Sequence, residues 1–514
     1  MVRSGVGSNM FSGSSMSPIL AGFLVVCCVL GSSANRNVYR KVGPYKWKLN
    51  GWNKEPGFKA RISQKGLDFL RDVGIQMLQK QIQQLTIPDI HGSADIGIGD
   101  VKYDVTNIRI TTFSIPTASL TPDPAAGGLT LKTSGINLKV HGDWHYKIGG
   151  FIPISDSGNF DASASSISLA VTLRIGVDAT GRPNISSKAL DCSFNIGGLD
   201  VDLHGGASWL YNLFDDKIGD AIKDSLNGQI CDTVIDEVNG SLEDELKDLQ
   251  VIAPVGDVVE IDYSLVESPS FNGSINTAHK GEVYPIGNTT ECPLPVPQIP
   301  PDSDISRMVF IWITEYLPNS AGYALQNVGF LQYNVTPENV PAEEKNYLNT
   351  SNFALDLLIP QINKMYPNMA MQINVNSTKA PVVKVASTGV QAVLVGDFIP
   401  YAILPNKTLA YLFTLSVTIS AKVSVNFTGN NITWNISSFS TTMKAVHSAV
   451  GPFFTSALQL AVNTAIKVDL IPDLNKLGAV GAPLPQLDGF NFTKPVVSLG
   501  EGFLKIGTDL TYTP

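Results

Sequence analysis

The chain has 514 residues, of which 44% are hydrophobic and only 16% are charged, and its formal net charge is −9. This length predicts more than one domain, and the low charge content predicts extensive buried surface or apolar patches that bind a partner. The acidic balance argues against nucleic acid as that partner.

An apolar run at Ile19–Leu30 predicts a secretion signal. It spans about 12 residues and cannot cross a bilayer, which needs roughly 20. The small residues Ser32 and Ala34 suit the positions before a signal-peptidase cut. We therefore expect residues 1–34 to be a signal peptide and the mature protein to be secreted into the extracellular space. An uncleaved anchor is the alternative.

Residues 35–54 form a basic extension in which cations alternate with tyrosine and tryptophan. Cations beside interfacial aromatics suit an anionic membrane surface. A solvated arm or a pro-segment is the alternative. The residues expected to contact membrane here are Arg40, Lys41, Lys46, Trp47 and Lys48.

The first half of the mature chain, residues 55–284, combines two helical patterns with many strands. Ser63 is expected to cap a helix that runs to about Leu85, with apolar residues at spacings of three and four. Alternating segments such as 129–133 and 167–175 predict strands. A second helix is expected from about Ser208 to Leu249, interrupted near Asn239.

A proline-rich segment, residues 285–302, separates the two halves. Its five prolines between positions 293 and 301 remove backbone donors and fix φ, which predicts an extended linker.

The second half, residues 303–514, repeats the mixture of helix and strand. Thr350 or Ser351 is expected to cap a helix, the segment 412–425 alternates strictly as a strand does, and a last helix is expected over about 452–468.

The sequence contains no nucleophile elbow, phosphate loop or dinucleotide-binding fingerprint, so we expect no enzyme. His141 and His145 are four apart, but they lie in a predicted strand or hairpin, where that spacing does not form a helical metal pair. A surface or cross-strand role is favoured for both.

Three cysteines remain after the expected cleavage: Cys192, Cys231 and Cys292. An oxidising compartment predicts that two of them pair, and the sequence leaves three pairings open. The third thiol is then either buried or available for an intermolecular bond. Sequons for N-glycosylation recur from Asn184 onwards and predict a glycoprotein.

Several segments along nearly the whole mature chain resemble the bactericidal/permeability-increasing and lipopolysaccharide-binding protein family. They agree with that family in both order and spacing. The segments are 61–67, 87–89, 157–160, 261–265, 280–284, 307–310, 366–369 and 404–406.

This resemblance implies an α+β fold, an elongated boomerang of two barrels. Each barrel is a twisted antiparallel sheet wrapped on long helices, and a central sheet and the proline-rich linker join them. The resemblance also implies one phospholipid in an apolar pocket of each barrel and no other cofactor. It selects a Cys192–Cys231 disulfide and leaves Cys292 for a disulfide dimer.

With that resemblance, the apolar helix stripes are expected to serve as core and pocket wall together; without it, a packed core is the favoured interpretation. The residues expected to bind lipid are Leu67, Leu70, Met77, Ile82, Trp209, Leu213 and Phe214 in the first barrel, and Phe353, Leu357, Phe453 and Leu458 in the second.

At the tip of the first barrel, family members that bind endotoxin carry lysine and arginine, whereas Lys147 is the one lysine or arginine of the segment 144–156 here. Apolar residues including Phe151 and Ile152 are expected to contact membrane with it. The resemblance implies an innate-immune protein that binds lipopolysaccharide, bacterial outer membrane or phospholipid and has antibacterial activity. The alternative is a carrier that moves phospholipid between membranes or lipid particles.

Overall fold

The computed structural model describes residues 55–513, except 86, 96–99, 150–153, 206–218, 256–257, 341, 343–344 and 485–488. Antiparallel strands dominate these ranges. The strands are β1 (Phe58–Ile62), β2 (Ile90–Asp95), β3 (Asp100–Ser114), β4 (Thr117–Asp123), β5 (Gly128–Ile148), β6 (Ile154–Val177), β7 (Pro183–Ser186), β8 (Cys192–Asn195), β9 (Gly198–His204), β10 (Ile252–Val255), β11 (Val259–Asp262), β12 (Ile275–His279), β13 (Glu282–Pro285), β14 (Val309–Thr314), β15 (Gln332–Val335), β16 (Met371–Ser377), β17 (Val382–Ala386), β18 (Gly389–Ile403), β19 (Leu409–Tyr411), β20 (Phe413–Thr428), β21 (Asn431–Ser448), β22 (Ala482–Pro483), β23 (Phe490–Gly500) and β24 (Phe503–Tyr512).

The described α-helices fall into five regions of the chain. The α-helices are α1 (Gln64–Gln83), α2 (Gly219–Glu237), α3 (Glu243–Asp248), α4 (Tyr316–Asn327), α5 (Phe353–Leu358), α6 (Pro360–Met365), α7 (Thr455–Ala465) and α8 (Ile471–Val480). Two π-helical turns, Val238–Leu242 and Ile466–Leu470, join α2 to α3 and α7 to α8. None of the described helices is both long enough and apolar enough to cross a membrane.

The first barrel is a sheet of order β2-β3-β5-β6-β7, with β4 paired to β5 and with β8 and β9 paired to β6. Strands β5 and β6 are 21 and 24 residues long, and they alternate between buried and exposed side chains over much of their length. The buried face packs against α1 and α2 to form one apolar core.

Helix α1 begins where the sequence predicted. The Ser63 hydroxyl oxygen accepts a hydrogen bond from the Gly66 N–H at 3.4 Å and donates one to the Arg307 carbonyl at 2.6 Å. This cap therefore ties the start of α1 to the segment that follows the linker.

The predicted second helix is confirmed from Gly219 onwards, and its start lies outside the described residues. The expected interruption near Asn239 is a π turn, Val238–Leu242. The Asn239 carboxamide accepts from the Ser187 N–H and donates to the Ser187 carbonyl, both at 2.9 Å. This double contact anchors the wider turn to the end of β7.

Cys192 on β8 and Cys231 on α2 form a disulfide, with their Cα atoms 5.8 Å apart. The pairing implied by the family resemblance is therefore confirmed. The bond fastens the edge of the first sheet to the helix that covers it.

A central five-stranded sheet takes strands from both halves, in the order β12-β1-β14-β24-β23. A three-stranded sheet, β10-β11-β13, packs with it in one apolar cluster. The end of the linker is fastened here because the Lys505 Nζ atom on β24 lies 2.6 Å from an Asp302 carboxylate oxygen and 2.9 Å from one of Asp304.

The second barrel is a sheet of order β15-β16-β18-β20-β21-β22, with β17 and β19 paired to β18. Its helical part differs from the prediction in three ways. The cap of α5 is Asn352, whose carboxamide oxygen accepts from Ala354 N–H and Leu355 N–H, and Pro360 divides the expected helix into α5 and α6. The last helix begins at Thr455 and continues beyond its predicted end through a π turn into α8.

The expected α+β class is confirmed, since curled antiparallel sheets packed on helices form both halves and a shared sheet joins them.

Candidate functional site

An apolar cavity lies where the second barrel meets the central sheet. Strands β17, β18, β20 and β21 supply the barrel side, while α4 with the ends of β14 and β24 supplies the other. Helix α8 and the π turn before it complete the wall. The lining residues are Ile313, Thr314, Glu315, Leu317, Pro318, Ala321, Pro381, Val382, Val383, Val385, Val390, Ala392, Val393, Leu394, Ile419, Ala421, Val423, Val425, Ile432, Trp434, Ile436, Ile466, Ile471, Leu474, Ala482 and Leu504.

Small side chains open the barrel side of the cavity. Ala392 on β18 and Ala421 on β20 are directly opposite each other in the strand register, and both line the cavity. Most of their neighbours along these strands are β-branched or leucine, which stand upright on a pleated sheet. The two alanines therefore leave a gap in an otherwise filled apolar surface.

Helix α4 forms the opposite wall of the cavity and packs closely against the segment that precedes β17. Leu317 and Ala321 are buried and line the cavity. A Cβ atom on Gly322 would lie 2.8 Å from the Pro381 carbonyl oxygen, so glycine permits the approach between α4 and the segment before β17.

Three polar side chains interrupt the apolar lining, and the first, the Thr314 hydroxyl, donates a hydrogen bond to the Gly57 carbonyl at 2.9 Å. The buried Glu315 carboxylate accepts hydrogen bonds from the Lys384 ammonium at 2.6 Å and from the Val385 N–H at 2.8 Å. The Trp434 indole N–H is buried and has no hydrogen-bond partner among the described residues. Trp434 also borders a second cleft, whose other lining residues are Asn426, Thr428, Thr433, Asn435, Asn475 and Ala479.

The cavity has about 160 Å³ of interior volume within roughly 1380 Å³ of unfilled space that opens to solvent. Water is a poor occupant because it needs two to four polar partners. The lining therefore favours an apolar ligand such as an acyl chain.

The lipid-binding residues predicted in the second barrel do not line this cavity. Phe353 and Leu357 are 82% and 72% exposed, so the expectation that they are buried in the core is wrong. The side of this region that packs against the core instead carries the partly buried Leu355 and Leu358 and the buried Ile362, and Phe353 and Leu357 lie on the opposite face of the helix. Phe453 and Leu458 are partly buried and pack against the core of the second barrel.

The predicted lipid-binding residues of α1 differ in how deeply they are buried. Leu67 is fully buried with Leu120 and Phe271, and Leu70 packs against the same cluster. Ile82 is fully buried in the main barrel core. Met77 is 43% exposed, because the buried stripe runs through Ile75, Leu78 and Ile82 and leaves it at the side. Trp209, Leu213 and Phe214 lie outside the described residues.

Most of the predicted membrane-contact residues also lie outside the described residues: Arg40, Lys41, Lys46, Trp47, Lys48, Phe151 and Ile152. Lys147 is described and exposed, near the end of β5.

The unpaired thiol of Cys292 is buried between the linker and α4. Burial raises its pKa. In this conformation the predicted disulfide dimer would therefore lack an accessible thiolate.

His141 and His145 take the cross-strand role that was predicted. His141 lies opposite Asp161, and His145 lies opposite Asp104. Within the described residues, no group of three or more His, Cys, Asp or Glu side chains has the arrangement of a metal site.

The strand residues that line the cavity were not predicted from the sequence, because the predicted lipid-binding residues were taken only from the apolar faces of helices. One signal was present, namely an apolar run at 390–395 interrupted by Gln391 alone, with glycine before and after it. A strand with apolar residues on both faces is typical of one that packs on both sides, and here Val390, Ala392, Val393 and Leu394 all line the cavity.

Comparison with known proteins agrees with this architecture. The profile of the LBP / BPI / CETP family, N-terminal domain, matches residues 66–248, and that of the C-terminal domain matches residues 254–512. A bactericidal permeability-increasing protein of Sebastes schlegelii is 33% identical over 95% of this chain and all of its own. A lipopolysaccharide-binding protein of Mus musculus is 28% identical over 89% of this chain and 94% of its own. A crystal structure of lipopolysaccharide binding protein superposes with a TM-score of 0.64 and 27% identity, covering 90% of this chain and all of that chain.

Proposed function

The chain belongs to the LBP / BPI / CETP family, and on that premise we propose that it is a secreted innate-immune protein that binds lipopolysaccharide or another bacterial amphiphile. The cavity between the second barrel and the central sheet carries the proposal. Its lining is almost entirely aliphatic, and its interior volume is about 160 Å³. The ligand class is therefore an acyl chain, and a phospholipid in each barrel is the proposed occupant.

The energetics favour this class of ligand. Each CH₂ group that moves from water into the cavity contributes roughly 0.8 kcal/mol. The Lys384 ammonium, 66% exposed beside Glu315, lies next to the lining and could meet a lipid phosphate. The proposed function is binding alone, in which no covalent bond is formed or broken.

The proposed route to a bacterial surface uses the first barrel. Lys147 with Phe151 and Ile152 would contact lipid at the tip, and the basic extension that includes Arg40 and Lys46 would add attraction to anionic headgroups. Antibacterial activity is proposed as a consequence of that contact.

A phospholipid carrier is the second candidate, and the net charge of −9 favours it because an acidic protein is repelled by anionic membranes. Two assays separate the candidates: binding of lipopolysaccharide, and transfer of labelled phosphatidylcholine between neutral vesicles. The proposal expects saturable lipopolysaccharide binding that weakens when the lysines and arginines of residues 36–48 become Gln. Rapid transfer without lipopolysaccharide binding would contradict it and select the carrier.

A further inference from the structure

Four of the six histidines lie in two clusters on the outward face of the first barrel. In the first cluster, the Asp104 carboxylate has His91 Nδ1 at 2.6 Å and His145 Nδ1 at 3.6 Å. In the second, the Asp161 carboxylate has His141 Nδ1 at 2.9 Å and His204 Nε2 at 3.0 Å. Each cluster places one carboxylate between two imidazoles.

The strand register aligns both clusters on one surface. His91, Asp104 and His145 are directly opposite one another across β2, β3 and β5. His141 precedes His145 by four residues on β5, so both side chains leave the sheet on the same side. Five of the six side chains are 46–64% exposed, and His141 is 23% exposed.

Around the clusters, over residues 90–95, 100–114, 137–148, 154–165 and 198–204, the charged groups on the outward face come from all five strands that carry the clusters. Its carboxylates are Asp95, Asp100, Asp104, Asp143, Asp161, Asp200 and Asp202. Its lysines and arginine are Lys102, Arg109, Lys139 and Lys147. Seven carboxylates and four cations give a net charge of −3 with the four histidines neutral, and +1 with all four protonated.

Histidine is the side chain that changes charge between pH 8 and pH 5. The hydrogen bond from His91 holds the pKa of Asp104 below its usual range, and those from His141 and His204 do the same for Asp161. The Asp104 and Asp161 carboxylates therefore stay ionised over this range. The charge of each cluster is −1 with both imidazoles neutral and +1 with both protonated, so full protonation reverses the sign of this part of the face.

The reversal occurs beside existing cations. Lys102 and Lys147 are directly opposite each other, two residues from Asp104 and His145 towards the end of the barrel. Protonation of His91 and His145 adds two cations to that row. Clustered positive charge at the end of a barrel is complementary to a surface of lipid phosphates.

We propose that the outward face of β2, β3, β5, β6 and β9 is a membrane-docking surface that attaches to phosphate-bearing anionic lipid when its four histidines are protonated. This inference rests on the proposed function, since it names the surface and the pH at which the protein meets its lipid. An acidic compartment or an acidified infection site would supply the condition.

The test measures co-sedimentation of the full mature protein with vesicles of phosphatidylglycerol and phosphatidylcholine at pH 7.4 and pH 5.5, at fixed ionic strength. The parent is expected to bind about tenfold more tightly, or better, at pH 5.5. The variant with His91, His141, His145 and His204 replaced by Gln should lose this gain, and His447→Gln, an exposed histidine of the second barrel, should keep it. Vesicles of phosphatidylcholine alone should show no gain, and inorganic phosphate at the lipid phosphate concentration should not compete.

A second variant keeps the test independent of the histidine substitutions. Asp104→Asn with Asp161→Asn raises the charge of the face by two and should strengthen binding at pH 7.4. An equal pH gain in the four-histidine variant, or no gain in the parent, would overturn the proposal. Uptake of a fluorescent phospholipid at pH 7.4 is read in parallel. Absence of uptake would contradict the proposed lipid cavity, while the vesicle-binding result would still decide the docking proposal.

Discussion

Ala392 and Ala421 lie directly opposite each other on the neighbouring strands β18 and β20, and both side chains line the apolar cavity. Larger side chains at these two positions would fill the space that we assign to an acyl chain. The pair is therefore the most direct point at which to close the cavity without altering its polar groups.

Replacing Ala392 with Phe should lower the amount of phospholipid held per protein, because the ring occupies the cavity floor. The matched control is Gln391→Phe, which places the same ring on the neighbouring, exposed position of β18. Lipid extracted from both purified variants is compared with that from the parent. Equal lipid content in Ala392→Phe and the parent would argue that the cavity does not hold lipid.

Acidification should destabilise the protein through His279. Its Nδ1 lies 2.8 Å from the Tyr263 carbonyl oxygen, which can only accept, so Nδ1 carries the proton and Nε2 accepts from the Thr277 hydroxyl at 2.8 Å. Burial lowers the pKa of His279 to about 4. The unfolded chain then binds more protons between about pH 6.5 and pH 4, so stability falls by about 3 kcal/mol across that window.

The comparison with His279→Asn isolates this effect, since the Asn Nδ2 atom can replace the Nδ1 donor and cannot be protonated. Burial also raises the pKa of Asp262 and Glu282, whose contribution runs the other way and is lost as pH rises. The measured quantity is therefore the parent-minus-variant difference in unfolding free energy from pH 7 to pH 4. A difference that does not change with pH would contradict the assignment.

Removing Lys280 should be strongly destabilising. The Lys280 side chain is 4% exposed. Its Nζ atom lies 2.6 Å from a carboxylate oxygen of Glu291 and 3.3 Å from one of the fully buried Glu282. Lys280→Met leaves these carboxylates without their cation, and breaking a buried pair costs about 3–5 kcal/mol. Denaturant unfolding at pH 7 measures the loss. Lys247→Gln, at an exposed ion pair of α3, is the control and should leave the unfolding midpoint unchanged.

Loss of the disulfide should weaken the first barrel. Cys192 and Cys231 are 39 residues apart, and closing a loop of that length stabilises the folded state by about 4 kcal/mol. The variant with both cysteines replaced by Ala should therefore unfold at lower denaturant than the parent. Parent protein under reducing conditions should shift in the same way, and an unshifted midpoint in both would refute a stabilising bond.

Local patterns predicted the elements whose causes are local. The start of α1 follows from one hydroxyl cap and an apolar stripe, both within a few residues of Ser63. Helix α4 was not predicted, since Pro318, Asn319, Ser320 and Gly322 are poor helix formers. It forms because Leu317 and its neighbours pack into the central sheet, and tertiary packing outweighs propensity.

The cavity could not be predicted for a related reason. Its lining extends from Ile313 to Leu504, and only the pairing of distant strands brings these residues together. The Cys192–Cys231 disulfide could be predicted because the family resemblance selects this pairing, whereas the spacing of the three cysteines alone does not. The error at Phe353 and Leu357 arose because this short segment has apolar residues on both sides, and contacts with distant strands determine that Leu355, Leu358 and Ile362 face the core.

The central claim is that the folded protein holds lipid, and native mass spectrometry of the secreted parent protein tests it most directly. The account predicts a protein ion that carries added mass, which is released on activation as phospholipid and is reduced in Ala392→Phe but not in Gln391→Phe. A protein ion without any mass that is released as lipid, together with no uptake of a fluorescent phospholipid, would contradict it.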